Sequence, residues 1–217
     1  MVILPIEKKL KKRMHKTLAL AQDILVMEIY DSFPSAIIHG GTAVWRCYGS
    51  NRFSEDVDVY LPSTTKGSDV EKFLDNLKRK DFLIEKFKKT ENATFAKFSY
   101  LNVIVRFESV FKNIKNFVTK QFEMSDGTSI IVNTLRPEEM IVEKVSAYFK
   151  RKKVRDLYDI FFLLKFVEDK EKIKNDLVKL AKGFKRPVDE RDLRVLIISG
   201  SIPNVESILE VIRGWAR

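Results

Sequence analysis

His39-Gly40-Gly41-Thr42-Ala43, followed by Arg52-Phe53-Ser54-Glu55-Asp56-Val57-Asp58-Val59, is the stretch whose reading decides the fold. Ala36-Ile37-Ile38-His39 is a short apolar run that ends at the glycine pair, so it reads as a strand closing in a turn. Thr42 to Tyr48 has the composition of a short helix. Val57, Val59 and Leu61 then alternate with Asp56, Asp58 and Tyr60, the period-two pattern of a strand. The order is strand, Gly-Gly turn, helix, loop, and a strand carrying two aspartates. Glycines at a helix start let backbone N–H groups approach an anion closely, and the helix N-terminus adds favourable dipole charge for phosphate. The Thr42 hydroxyl is expected to help hold a phosphate oxygen. Asp56 and Asp58 leave the same strand face, and two adjacent carboxylates repel unless a cation lies between them. Hard oxygen ligands of this kind suit Mg²⁺ or Mn²⁺. A Gly-Gly alone is usually a turn, and an Asp-x-Asp alone is usually a solvated strand end. Their occurrence together, in this order and between strands, favours the phosphate and metal reading.

Outward from that stretch, Glu7 to about Tyr30 carries Leu10, Met14, Leu18, Ala21, Leu25 and Ile29 at helical spacing, which predicts one amphipathic helix. Asp31-Ser32-Phe33-Pro34 ends it, since proline cannot continue a helix. Asp69 to Arg79 is a second helix, with Val70, Phe73, Leu74 and Leu77 as its apolar stripe. Strands are expected at Leu83–Lys88, Thr94–Tyr100, Asn102–Glu108 and, after the Asp126-Gly127 turn, Ser129–Thr134. In the Asn102–Glu108 segment Val103, Val105 and Phe107 face one side, and Ile104, Arg106 and Glu108 the other. From Pro137 onwards only helical stripes remain, at Glu138–Phe149, Leu157–Val167, Ile173–Ala181 and Val205–Arg213. The fold class is therefore α+β: a mixed β-sheet core flanked by helices, with a helical C-terminal bundle. The expected division is residues 1–136 and 137–217.

With 217 residues, 45% hydrophobic content and 16 Phe, the chain can bury a substantial core. The net charge of +10 fits polyanionic partners, and equally a heat-adapted surface rich in Lys and Glu with Gln only at Gln22 and Gln121. Charge alone decides nothing. One cysteine, Cys47, and two histidines, His15 and His39, argue against a disulfide framework and a Cys/His zinc site, and point to a reducing cytoplasm. No apolar run approaches the length of a membrane span, so no membrane partner is expected.

Gly40-Gly41-Thr42-Ala43 with Arg52-x-Ser54-x-Asp56-x-Asp58 resembles the signature of the AbiEii-type nucleotidyltransferases, of the DNA polymerase β nucleotidyltransferase superfamily. Downstream, Glu143-Lys144-Val145-Ser146-Ala147 and Arg155-Asp156-Leu157-Tyr158-Asp159-Ile160 resemble that family's Lys-x-x-Ala and Arg-Asp-x-x-Asp motifs. The resemblance implies that Asp56 and Asp58 bind metal, with Glu108 as third ligand. It implies that Gly40, Gly41, Thr42, Arg52, Ser54 and Lys144 hold the nucleotide. Lys144 would neutralise developing phosphate charge, and Asp159 would orient Lys144, the nucleotide or the acceptor. Spacing alone puts Lys144, Ala147 and Arg151 on one helical face, with Asp156 and Asp159 sharing another; capping or salt bridging of the neighbouring basic run is an equal reading for Asp156 and a weaker one for Asp159, which Tyr158, Ile160 and Phe161 flank.

The implied reaction is attack by an acceptor hydroxyl on the α-phosphate of an NTP, with Mg²⁺ or Mn²⁺ as cofactor. Members of the resembled family include toxins of toxin–antitoxin pairs, and some add nucleotides to the tRNA 3′ end; a tRNA acceptor and a cognate antitoxin are the expectations. The basic runs Lys8–Lys16 and Lys150–Arg155 would suit an RNA backbone, although such runs are more often solvated faces. The alternatives are a small-molecule or protein nucleotidyltransferase, and a non-catalytic nucleotide-binding module.

Overall fold

The computed structural model describes residues 4–217, which divide into two compact units. One takes the chain as far as Gly49 together with Ser54–Thr134; the other takes Ser50–Phe53 and Leu135–Arg217.

The first unit runs α1 (Ile6–Lys9), α2 (Arg13–Ser32), β1 (Ile37–His39), α3 (Gly40–Arg46), β2 (Asp56–Leu61), α4 (Gly67–Arg79), β3 (Leu83–Lys89), β4 (Ala93–Tyr100), β5 (Val103–Phe111), β6 (Phe117–Glu123) and β7 (Ser129–Leu135). Its strands form one mixed sheet in the order β3-β4-β5-β2-β1-β7-β6. β2 lies parallel to β5 and β1 parallel to β7, while β1/β2, β3/β4 and β4/β5 are antiparallel. This is the mixed, helix-flanked sheet that the alternation of strand and helix signals predicts.

One sheet face is apolar. Val57, Val59, Ala96, Phe98, Val105 and Phe107 are all buried, and α2 and α4 pack over this side. The α4 stripe Val70, Phe73, Leu74 and Leu77 is buried as its spacing predicts. Phe73 sits 5.5 Å from Phe107, 5.5 Å from Phe33 and 6.3 Å from Phe98, measured between ring centroids. Each such ring removed from water contributes about 1.5–3 kcal/mol, so this cluster clamps the helices to the sheet.

A buried charge fixes α3. Arg46, 2% exposed, donates to Asp23 Oδ1 (2.8 Å) and to the carbonyls of Ala19 (3.0 Å) and Glu123 (2.9 Å). Burial pushes the Asp23 carboxyl upward against the pull of Arg46, and pushes the Arg46 guanidinium downward. A pair of this kind locates an element more than it stabilises one, because each charge is tolerated only with its partner. Here it holds the helix that opens with the glycine pair.

Two expectations change. The single N-terminal helix is broken at Leu10, which adopts an extended backbone and is buried, while Met14 from the expected stripe is 61% exposed. Helical spacing treats the two as equivalent, but the core accepts the chain only with a break between α1 and α2. The sheet also contains β6, an edge strand whose buried residue is Phe122. With most of its side chains in solvent, Phe117–Glu123 lacks a strong apolar alternation.

The second unit is helical: α5 (Pro137–Arg151), α6 (Val154–Leu163) with a 3-10 turn at Leu164–Phe166, α7 (Glu171–Lys182), α8 (Leu193–Leu196) and α9 (Val205–Trp215). Pro137 opens α5, where its missing N–H costs nothing. Ser50–Phe53 joins this unit through backbone hydrogen bonds, Phe53 N–H to Leu196 O and Ile198 N–H to Asn51 O, each 2.8 Å. Among the described residues no helix is long and apolar enough to cross a membrane.

Candidate active site

In the first unit, β1 delivers the chain to His39 and the Gly40-Gly41 pair opens α3. Gly40 has φ +70°, a conformation that costs an L side chain, and a Cβ there would overlap the Asp58 carboxylate. Glycine is therefore needed on two counts. Register explains the closeness, since β1 and β2 are antiparallel with His39 opposite Asp58. The His39 ring also stacks on Tyr60 with centroids 4.0 Å apart.

Asp56 and Asp58 are both half-buried and project from the sheet face opposite the apolar core. Across the parallel β2/β5 ladder Asp56 is opposite Arg106 and Asp58 opposite Glu108. Arg106 Nε donates to Asp56 Oδ1 at 2.5 Å, and its Nη2 lies 3.3 Å from Glu55. The alternation of β5 puts Arg106 on the carboxylate face in sequence, but nothing there identifies Asp56 as its partner.

Thr42 is completely buried, and its hydroxyl donates to the carbonyl of Asp56. The hydroxyl expected to reach a phosphate instead keys α3 to the carboxylate strand. Ser54 is 7% exposed, and its carbonyl accepts from Gln22 Nε2 at 2.9 Å. Glu108 is exposed beside Asp58. Among the described residues no three His, Cys, Asp or Glu side chains form a group that could hold a metal ion. The donor set on this face is thus the Asp56–Asp58 pair, with Glu108 as its register neighbour. Such a set fits Mg²⁺, which is commonly held by one or two carboxylates together with substrate phosphates and water.

The second unit contains a chain of buried charges. Arg52 clamps Asp159 with two bonds, Nε to Oδ1 at 2.6 Å and Nη2 to Oδ2 at 2.9 Å. Lys144 Nζ lies 2.7 Å from Asp159 Oδ2 and 3.7 Å from Asp156 Oδ1. Arg151 in turn clamps Asp156 with two bonds of 2.7 Å. Asp159 and Asp156 are fully buried, and the Lys144 side chain is 9% exposed. Burial by itself would raise the Asp159 carboxyl; Arg52 and Lys144 outweigh it and hold the group below the usual carboxylate range. Arg52, expected to hold nucleotide, is spent on Asp159, 107 positions away in the chain. Asp159 therefore fixes the Lys144 ammonium. The basic run Lys150–Arg155 is likewise tied in part to local carboxylates, Arg151 to Asp156 and Lys153 to Asp189.

A glycine-opened helix against a two-aspartate strand, within a mixed sheet followed by a helical unit, is the architecture of a nucleotidyltransferase. JHP933 from Helicobacter pylori shares the fold at a TM-score of 0.61 and 19% identity, over 91% of this chain and 90% of that one. A protein from H. pylori provisionally described as a nucleotidyltransferase does so at 0.59 and 19%, over 91% and 92%. The family model of the AbiEii nucleotidyl transferase toxin, of the type IV toxin–antitoxin system, matches residues 24–201, and the chain belongs to that family. No curated protein matches it in sequence.

Proposed function

We propose that this nucleotidyltransferase moves a nucleoside monophosphate from an NTP to an acceptor hydroxyl, with the 3′ end of a tRNA as the acceptor. The observation that supports this most is the seating of the Asp58 carboxylate against the Gly40 Cα. It makes the glycine turn and the carboxylate pair parts of one constellation. Asp56 and Asp58 would hold Mg²⁺, which when bound supplies positive charge to the triphosphate and lowers the pKa of a hydroxyl beside it. The acceptor oxygen forms a bond to the α-phosphorus, the bond to the β-phosphate oxygen breaks, and pyrophosphate leaves. The acceptor proton passes to solvent or to a nearby carboxylate. The backbone at Gly40 and Gly41 lets the triphosphate approach closely. In the second unit Lys144, held by Asp159, supplies an ammonium for phosphate charge. Little covalent work falls to side chains; positioning and charge neutralisation carry the rate. The family implies a cognate antitoxin as partner, and the single cysteine, Cys47, supports a reducing compartment, the cytoplasm.

Incubation with Mg²⁺, total tRNA and each NTP radiolabelled at its α-phosphate tests the reading. Label should enter tRNA with the wild-type chain and not with Asp58→Ala, while circular dichroism shows both folded. Equal labelling by both proteins would remove Asp58 from the reaction. No labelled tRNA with any NTP would remove tRNA as acceptor.

A further inference from the structure

The sheet face opposite the apolar core continues beyond the aspartates across three strands. Strand register lines up Asp56, Arg106, Lys97 and Lys86 on β2, β5, β4 and β3. The next row holds Asp58, Glu108, Phe95 and Lys88, and the row on the other side holds Ile104, Ser99 and Leu83. Neighbouring strands lie about 4.8 Å apart, so Lys86 is on the order of 14 Å from Asp56, with a cation at each step between. Lys86 and Lys88 are exposed, as are Leu83 (67%) and Ile104 (52%), whereas Phe95 and Lys97 are half-buried. On the reverse of the same strands Ala96, Phe98, Val105 and Phe107 are buried. The apolar core thus covers one side of β4 and β5 and leaves the other open, while β3, at the sheet edge, is exposed along nearly its whole length. Lys86 Nζ stands 5.8 Å from the centroid of the Phe95 ring, so a cation and an aromatic face occupy one spot.

We propose that this open face of β3, β4 and β5 binds a single-stranded polynucleotide, its phosphates along the lysines and its bases against Phe95 and Ile104, leading toward Asp56. The proposal rests on the transfer reading above and deepens it by giving the acceptor a surface. Charge complementarity selects the occupant: cations repeat at strand spacing, and the carboxylates that the register places in these rows, Asp56, Asp58 and Glu108, stand at the end where transfer would occur. Stacking on a half-exposed ring is sequence-tolerant, because every base has a π-face. A flat platform with aromatic and basic side chains also accepts unpaired bases more readily than a duplex, whose bases are hidden in the stack.

The test is anisotropy of a short fluorescein-labelled oligoribonucleotide titrated with the full chain in the absence of NTP. Wild type should bind, with log affinity falling linearly in log salt. Lys86→Glu/Lys88→Glu should weaken binding about tenfold or more and flatten the salt slope by about one for each phosphate no longer neutralised. A charge-matched control, Lys72→Glu/Arg79→Glu, alters exposed positions of α4 and should bind like wild type. Equal weakening by both variants would mean attraction by net charge alone and would overturn the proposal, as would wild-type affinity in Lys86→Glu/Lys88→Glu. Displacement of the probe by polyglutamate as readily as by polyuridylate would also overturn it. Binding is read without turnover, so its failure is separate from failure of the transfer reaction, which Asp58→Ala decides.

Discussion

Gly40 and Gly49 share a backbone state, with φ of +70° and +71°, but not surroundings. A Cβ at Gly40 would meet Asp58, whereas at Gly49 nothing lies within 4 Å. Alanine at either position should cost about 1–2 kcal/mol for the left-handed backbone. Only Gly40→Ala displaces a carboxylate. A displacement of that kind should reduce nucleotidyl transfer by roughly a hundredfold, with Gly49→Ala near wild type. Steady-state kinetics on the two variants checks this, and equal activities would detach Gly40 from the chemistry. Asp159 is the second residue with a sharp expectation. Asp159→Asn leaves the Arg52 guanidinium buried without its counter-charge, a loss of about 3–5 kcal/mol at pH 7. Because the folded carboxyl lies below its unfolded value of 3.8, its contribution is complete above that value. It disappears as pH falls from there through the folded pKa. Urea unfolding across pH should therefore show wild type and Asp159→Asn converging in acid; a gap that widens in acid would contradict the assignment.

Elements that cover the sheet should control stability without touching chemistry. Phe73 on α4 is 1% exposed and meets Phe33, Phe98 and Phe107. Phe73→Ala should cost about 3–5 kcal/mol in urea unfolding, the usual range for a fully buried ring. A loss below about 1 kcal/mol would mean that α4 is not clamped by this cluster. The α4 stripe is legible in sequence because Val70, Phe73, Leu74 and Leu77 repeat at helical spacing within one element. β6 is not, because an edge strand buries too little for its side chains to alternate in kind. The α1/α2 break is hidden for a related reason: Leu10 fits the helical period and is buried, but with extended backbone. Periodicity reports which residues face inward, not whether one continuous helix carries them there.

For the molecule as a whole, the sequence by itself determined the α+β class, the order of the strands and helices apart from β6 and the α1/α2 break, the glycine turn ahead of the two aspartates, and the motifs that mark the AbiEii family. Those features are local: each depends on residues a few positions apart, where backbone geometry ties spacing to a shared face. What only the tertiary structure decided depends on partners far apart in the chain. Arg52 stands four positions before Asp56 yet folds with the second unit and closes on Asp159. Thr42 gives its hydroxyl to the Asp56 carbonyl, and Arg106 takes the Asp56 carboxylate from another strand. The lysine row exists only because β4 pairs in register with β5 and β3 resumes its pairing with β4 after the irregularity between Ile84 and Lys86; a slip of a single residue in β4 would turn Lys97 to the buried face. Register of that kind is set by the burial of Phe98 and Phe107 beneath α2 and α4, a long-range packing outcome that no single stretch of sequence contains.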